Sequence, residues 1–302
     1  MSRFIEIVEV GARDGLQNEK VVLEAADKVE LVRRLDQAGA RRQEVVSFVN
    51  PKRVPQMASA EEMMADLAAT DGRSRIGLVL NERGWDRAVA TSCDEANVVV
   101  CASNEFGIRN QGANVAEQVA ALGGITAKRQ REGGPPISVT ISVAFGCPFE
   151  GEVPQDQIVA IAREAAALGV AEIALADTIG VADPWMVRAR VEAVQKVVGD
   201  IPLRMHFHDT RNTGIANAYA SVEAGVSILD ASVGGLGGCP FAPAATGNIG
   251  TEDLVYMLER AGFETGYDLG KLIETAHWIG GRINKAPVSG LSKAGPFPKP
   301  AE

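Results

Sequence analysis

The segment ISVTISVAFGCPFEGEVPQDQIVAIAREAAALGVAEIALADT, residues 137–178, decides the fold. It begins and ends on β-rich runs, ISVTISVAF (137–145) and EIALADT (172–178), both near-continuous in Val, Ile, Leu and Ala. Such runs suit strands covered by helices on both faces. Between them QDQIVAIAREAAALGV (155–170) carries apolar residues at helical spacing as far as Gly169, where a left-handed C-cap belongs. A strand, a helix and a second strand with no hairpin signal make a parallel βαβ unit. The same alternation continues in both directions. Further strands are expected in FIEIVEV (4–10), RQEVVSF (42–48), RIGLVL (75–80), EANVVVCA (95–102), LRMHFHD (203–209) and SILDASV (227–233). Helices are expected in AADKVELVRRLDQAGA, which reaches its C-cap at Gly39, and in PWMVRARVEAVQKVVGD, which Asp183 caps ahead of Pro184. Eight units before residue 265, with no GxGxxG after the first strand, predict an α/β fold closed as a (β/α)8 TIM barrel rather than an open doubly wound sheet. The expected domain is residues 1–283, ending in a short helical extension with His277 and Trp278. Residues 284–302 read as a Pro/Gly-rich C-terminal tail, poorly ordered or a packing arm.

Composition narrows the function. The 302 residues are 46% hydrophobic and 23% charged, a globular profile with ample core. The net charge of −9 offers no global attraction for nucleic acid or an anionic membrane, so a phosphate-bearing ligand needs a local basic cluster. The longest uncharged window, Ala231 to Thr251, is too rich in Gly and Pro for a transmembrane helix. Four cysteines without a CxxC pair, and an N-terminus that enters a strand at once, lead us to expect no presequence and a reducing cytoplasm.

In a barrel the chemistry sits at the C-terminal ends of the strands. The first expected strand ends in Gly11-Ala12-Arg13-Asp14-Gly15, a cation beside a carboxylate. The seventh carries His206 and His208 at i and i+2, facing one side. One buried strand histidine is more often a hydrogen-bonded core residue; two on one face with Asp14 at the same height favour a metal. The segment after the eighth strand, Gly234-Gly235-Leu236-Gly237-Gly238-Cys239-Pro240, is followed by Gly247-Asn248 and a helix start at Thr251-Glu252-Asp253. It reads as a phosphate cradle or as plain turn chemistry. An Asp oxygen, two imidazoles and an amide oxygen suit one divalent cation, Mg²⁺ or Mn²⁺, better than structural zinc, with Cys239 as a zinc ligand the minority reading.

These residues resemble a known family. VEVGARDGLQNEK (8–20), QEVVSFVNPKRVPQM (43–57), ALADTIGV (174–181), HFHDT (206–210) and GGLGGCPFAPAATGNIGTEDLVYML (234–258) look like the 3-hydroxy-3-methylglutaryl-CoA lyases, over roughly residues 4–280. Related Claisen-condensing synthases usually carry HxHND and an extra regulatory domain, neither of which this chain shows. The resemblance implies retro-Claisen cleavage of an acyl-CoA in leucine degradation, by a homodimer. Carried over by position, it makes Asp14, His206, His208 and Asn248 the ligands of one divalent cation. Arg13 would bind the thioester oxygen, Cys239 would be the loop acid/base, and His206 a candidate base. Glu44 and Asp177 would orient Arg13 and the metal site. Lys20 and Lys52 would contact the CoA phosphates, with a solvated surface as the alternative. Three positions depart from the family pattern: Ala12 replaces a Pro, Asn104-Glu105 displaces a charge after strand four, and Arg211-Asn212-Thr213 follows the histidine motif. The last two leave citramalyl-CoA or another 3-hydroxy-3-alkyl acyl-CoA as an alternative substrate. A non-catalytic metal-binding barrel is the second alternative.

Overall fold

Eight strands, all parallel, pair in sequence order and close into a barrel. The computed structural model describes residues 3–67, 72–238 and 247–297. The wall consists of β1 (Glu6–Glu9), β2 (Arg42–Ser47), β3 (Ser74–Val79), β4 (Glu95–Cys101), β5 (Ile137–Ser142), β6 (Glu172–Asp177), β7 (Leu203–Phe207) and β8 (Ile228–Ala231). β8 returns to β1 in the register Glu6–Ile228 to Glu9–Ala231, which makes the closure. Around the wall run α1 (Ala25–Gln37), α2 (Ala60–Asp66), α3 (Glu82–Val89), α4 (Asn104–Gln111), α5 (Val115–Glu132), α6 (Gln155–Ala167), α7 (Pro184–Val198) and α8 (Gly214–Glu223). Then follow α9 (Thr251–Arg260), α10 (Leu269–Ile283) and α11 (Gly290–Ala294). Among the described residues no helix is long and apolar enough to cross a membrane.

The punctuation read from the sequence acts as expected. Gly39 and Gly169 hold positive φ of 108° and 76° after α1 and α6. The Asp183 carboxylate accepts from the N–H groups of Trp185 and Met186 at 2.9 and 3.0 Å, capping α7. The main apolar core lies between wall and helices: α6 buries Ile158 and Ile161, and α7 buries Val187, Val191 and Val194. A separate cluster of Val8, Val10 and Ile76, with Ile228 packed on it, gathers one side chain set from β1, β3 and β8.

The strands end one to three residues before the expected runs do, and at β5 and β7 the structure shows why. The run to Phe145 breaks after Ser142, because Val143 takes φ of +49° and its N–H donates to Thr178 Oγ1 at 2.8 Å. Positive φ is an outlier for a β-branched residue and ends ladder pairing. β7 ends at Phe207, so His208 lies just beyond the strand, bridged to Asn248. Of the tail, residues up to 297 are described, and the part around α11 packs as an arm. Val288 N–H donates to Gly234 O, the Ser289 and Ser292 hydroxyls donate to Glu252 Oε1, and the N–H groups of Gly290 and Leu291 bond Asp253.

Glu9 ties this end of the barrel together. It is fully buried; Oε1 accepts from Gly11 and Val233 N–H at 2.8 and 3.0 Å, and Oε2 from the Thr251 hydroxyl at 2.6 Å. Burial, outweighing those hydrogen bonds, pushes its pKa up from 4.5 to about 7. A carboxyl raised on folding stabilises fully below its ordinary pKa, and that contribution is lost as pH rises through the folded value. The window here is pH 4.5 to 7, with an effect on the order of 3 kcal/mol. Glu9→Gln keeps the oxygen that accepts two N–H groups and cannot ionise. Its stability relative to the native chain is therefore expected to rise between pH 4.5 and 7 and to level off above that, read as the difference in urea midpoints.

Candidate active site

The turn after β1, residues Gly11–Gly15, is a single wide helical turn in which Gly15 N–H donates to Val10 O. Side chains have no room at its ends. A Cβ at Gly11 would lie 2.7 Å from Glu9 Oε1, and one at Gly15 would lie 2.8 Å from Ser232 Oγ. Ala12 is buried in the main core, while Arg13 and Asp14 turn toward the barrel mouth and line a cavity of about 180 Å³. That is roughly six waters' worth of liquid, enough for a small acyl group.

Arg13 is held by two carboxylates. Nε donates to Glu44 Oε2 at 2.7 Å, Nη2 donates to the same oxygen, and Nη1 donates to Asp14 Oδ1 at 2.7 Å. Three of its five N–H donors are thus engaged and two are left for the cavity. Burial alone would depress the guanidinium pKa, but Glu44 and Asp14 outweigh it and push the pKa up. Burial would likewise raise the Asp14 carboxyl, yet Arg13 and the two imidazoles hold it well below the usual carboxylate range.

His206 and His208 lie beside Asp14 with their rings tilted 50° to one another and their centroids 5.2 Å apart. His206 Nδ1 lies 3.0 Å from Asp230 Oδ2, a contact that fixes the proton on Nδ1 and leaves the Nε2 lone pair toward Asp14, 4.0 Å away. Burial lowers the His206 pKa, but Asp230 and Asp14 more than reverse this. His208 Nε2 is 3.6 Å from the same Asp14 oxygen. One ligand atom from each of Asp14, His206 and His208 lies within 4.8 Å of the others. Asn248 completes the group: its Nδ2 donates to Asp14 Oδ2 at 2.8 Å and to Leu236 O at 3.0 Å. Asn248 Oδ1 and His208 Nδ1 are buried with no hydrogen-bond partner among the described residues. An orphaned amide oxygen beside a carboxylate and two imidazoles is a donor set that fits a divalent cation of intermediate hardness. Gly237 and Gly247 let Asn248 in, since a Cβ on Gly247 would fall 2.7 Å from the Gly237 backbone.

The structure thus brings Arg13, Asp14, Glu44, His206, His208 and Asn248 together. It places Asp177 elsewhere. The Asp177 carboxylate accepts from Val181 and Ala182 N–H at 2.9 Å each and bonds neither Arg13, Asp14 nor the histidines, although it feels the charge of both imidazoles. Lys20 and Lys52 are exposed and line no part of the cavity. Cys239 lies outside the described residues; Gly238, its neighbour, lines the cavity and accepts from Asn18 Nδ2. The departures at 104 and 211 are spent locally. Asn104 Oδ1 accepts from Val115 N–H, and Arg211 donates to the carbonyls of Ile179 and Gly180. Phe106 and Asn110, on the same α4, do line the cavity. Sequence reading missed Asp230 and Asn97. Their signal was a polar residue inside a run otherwise read as doubly covered strand, where it must find a partner.

A closed barrel that gathers a paired arginine, a carboxylate and two imidazoles at its strand ends defines an enzyme whose chemistry takes place at that mouth. Comparison with known proteins narrows it further. The HMGL-like family model matches residues 4–279, and the chain belongs to this family of carbon–carbon lyases with CoA substrates. It is 40% identical to an (R)-citramalyl-CoA lyase of Chloroflexus aurantiacus, over 97% of this chain and 95% of that protein. It is also 40% identical to a mitochondrial hydroxymethylglutaryl-CoA lyase of Arabidopsis thaliana, over 94% of this chain and 60% of that longer protein. Among solved structures, an HMG-CoA lyase from Acenitobacter baumannii in complex with coenzyme A and 3-methylmalate superposes with a TM-score of 0.93. It is 36% identical over 98% of both chains.

The two bonds that Asp177 makes separate local support from cation binding. Asp177→Asn turns one acceptor into a donor that faces an N–H group. It is expected to lower stability by about 1–3 kcal/mol, measured by urea denaturation, and to leave divalent-cation affinity, measured by calorimetry, close to native.

Proposed function

We propose that this protein cleaves 3-hydroxy-3-methylglutaryl-CoA to acetoacetate and acetyl-CoA, using one divalent cation, Mg²⁺ or Mn²⁺, held by Asp14, His206, His208 and Asn248. The observation that carries the reading is Arg13, fixed by Glu44 and Asp14 with two N–H donors uncommitted at the cavity beside that donor set. When bound, the cation withdraws charge from the substrate's tertiary hydroxyl and makes it more acidic. With Nδ1 on Asp230 and Nε2 toward the cation, His206 has no lone pair to spare, so the hydroxyl proton goes to a carboxylate that His206 assists. The C2–C3 electron pair then moves onto the thioester, the hydroxyl carbon becomes the ketone, and acetyl-CoA is left as its enolate. Arg13 binds the enolate oxygen, where charge develops only as the bond breaks, so its effect belongs in turnover. Cys239 delivers the proton to the enolate carbon. Glu44 holds Arg13, and Asp177 holds the 178–182 loop beside the histidines. Lys20 and Lys52, both exposed, meet the CoA phosphates. The same reading has the enzyme act in the cytoplasm, supported by the buried free thiols Cys93, Cys101 and Cys147, and as a homodimer, supported by the resemblance.

Citramalyl-CoA is the second reading, favoured by the 40% identity to a citramalyl-CoA lyase. The chemistry is unchanged and the keto acid released is pyruvate. A coupled assay for acetyl-CoA with identification of the keto acid decides between the two, and no acetyl-CoA from either ester rejects both.

Exhaustive chelation is expected to abolish activity and added Mg²⁺ or Mn²⁺ to restore it. Asp14→Ala and His208→Ala are expected to weaken cation binding in calorimetry. Arg13→Met is expected to lower kcat by roughly 10²–10³-fold with little change in KM. Cys239→Ser should fold and bind the cation normally yet cleave slowly, and substrate analogue should protect the native enzyme against alkylation.

A further inference from the structure

Glu44 offers Arg13 only one of its two oxygens. Arg13 Nε and Nη2 both bond Oε2, while Oε1 accepts from Asn97 Nδ2 at 2.9 Å. Asn97 Oδ1 accepts from the Thr140 hydroxyl at 3.0 Å, and Arg204 Nη2 reaches that hydroxyl at 3.5 Å. Arg204 Nε stands 3.5 Å from Asp230 Oδ1, and Asp230 holds His206. Hydrogen bonds thus form a belt from Arg13 through Glu44, Asn97 and Thr140 to Arg204. Arg204 faces Asp230, which holds His206, as a charge pair without a hydrogen bond; Asn97, Thr140 and Asp230 line the cavity.

We propose that Asn97 is a positioning residue for the lyase reaction: it fixes the rotation of the Glu44 carboxylate, and through it the plane of the Arg13 guanidinium. Thr140 sets the amide of Asn97 from the other side. A carboxylate with both oxygens available pairs with guanidinium in a two-bond fork, one oxygen to each nitrogen. The Asn97 amide on Oε1 instead anchors the carboxylate so that Oε2 alone meets Arg13, which leaves the uncommitted N–H groups of Arg13 at the cavity. A residue that only donates or only accepts does not serve at position 97. Glu44 accepts hydrogen bonds and cannot donate them, while the Thr140 hydroxyl has a proton to give, so the residue between them must donate at one end and accept at the other. The same partners settle which end of the amide is nitrogen. Asn97 is 2% exposed, so neither partner can be replaced by bulk water.

This inference rests on the lyase reading, and two readouts keep them apart. In turnover, Asn97→Ala is expected to lower kcat by about 10²-fold with KM near native, the scale of a misplaced catalytic group. Thr140→Val, which removes only the hydroxyl, is expected to lower kcat in the same direction by less. In the Arg13→Met background Asn97→Ala should cost nothing more, because it acts through Arg13. Independent of activity, the Arg13 Nε–H signal in a ¹⁵N-arginine spectrum, identified by its loss in Arg13→Met, should shift and exchange faster with water in both variants. Native kcat with an unmoved Arg13 signal overturns the proposal. So does a loss confined to KM and additive with Arg13→Met, which would make Asn97 a direct substrate contact. If Asn97→Ala fails to fold, Thr140→Val decides by the same measurements. A native enzyme that cleaves neither ester rejects the lyase reading, while the Arg13 signal still decides the belt.

Discussion

Charge inside the barrel has to be paired, and that requirement fixes the strands. Arg42, at the start of β2, forks onto Glu95 of β4 through contacts of 2.9 and 2.8 Å and onto Glu172 of β6 through contacts of 2.7 and 2.8 Å. Glu172 also lies 3.2 Å from Arg204 Nε on β7. Burial would lower the pKa of both arginines; for Arg42 it is Glu172 and Glu95 that reverse this, and for Arg204 it is Asp230 and Glu172. Removing one partner of a buried pair costs about 3–5 kcal/mol, and sliding one strand by a residue would remove several at once. The cluster therefore acts as a register lock rather than a large net source of stability.

The site has two walls of different make. One is carried on strands: Glu44, Asn97, Thr140, His206 and Asp230 all stand within named strands and inherit the register lock. The other is made of connections: the Gly11–Gly15 turn, the 233–238 segment and Asn248. Buried carboxylates hold this second wall from below. Glu9 takes the N–H groups of Gly11 and Val233, and Glu252 takes that of Gly234 while two arm hydroxyls occupy one of its oxygens. Burial raises both carboxyl pKa values.

Most of the fold was legible because the strand and helix periods differ and because Gly39, Gly169 and Asp183 mark helix ends by their own backbone chemistry. The errors fell where chemistry overrides propensity. Val143 belongs to a strand by composition and leaves it through a left-handed conformation anchored on Thr178. His208 belongs to β7 by spacing and sits beyond it, paired with Asn248. Within the site, the residues legible in advance are those whose types name their chemistry: Arg13, Asp14, the histidines and Asn248. Asn97 and Asp230 were hidden because an amide or a carboxylate in a strand acquires its meaning only from the residue across the barrel. Asp177 was legible as an acid at a strand end, but not as the acceptor of two loop N–H groups.

Asp14 and Asn248 touch across 234 positions of sequence, and they come into register only when β8 joins β1. The two flanks of the site are thus delivered by the two ends of the barrel, and the β1–β8 pairing is the one that brings them together. Contacts of such separation are slow to make, since loop closure must be lost before they reward it. A chain with seven strands in place would hold every histidine and the arginine and still have no site. The geometry of the site is therefore a property of the closed barrel and of no shorter part of it.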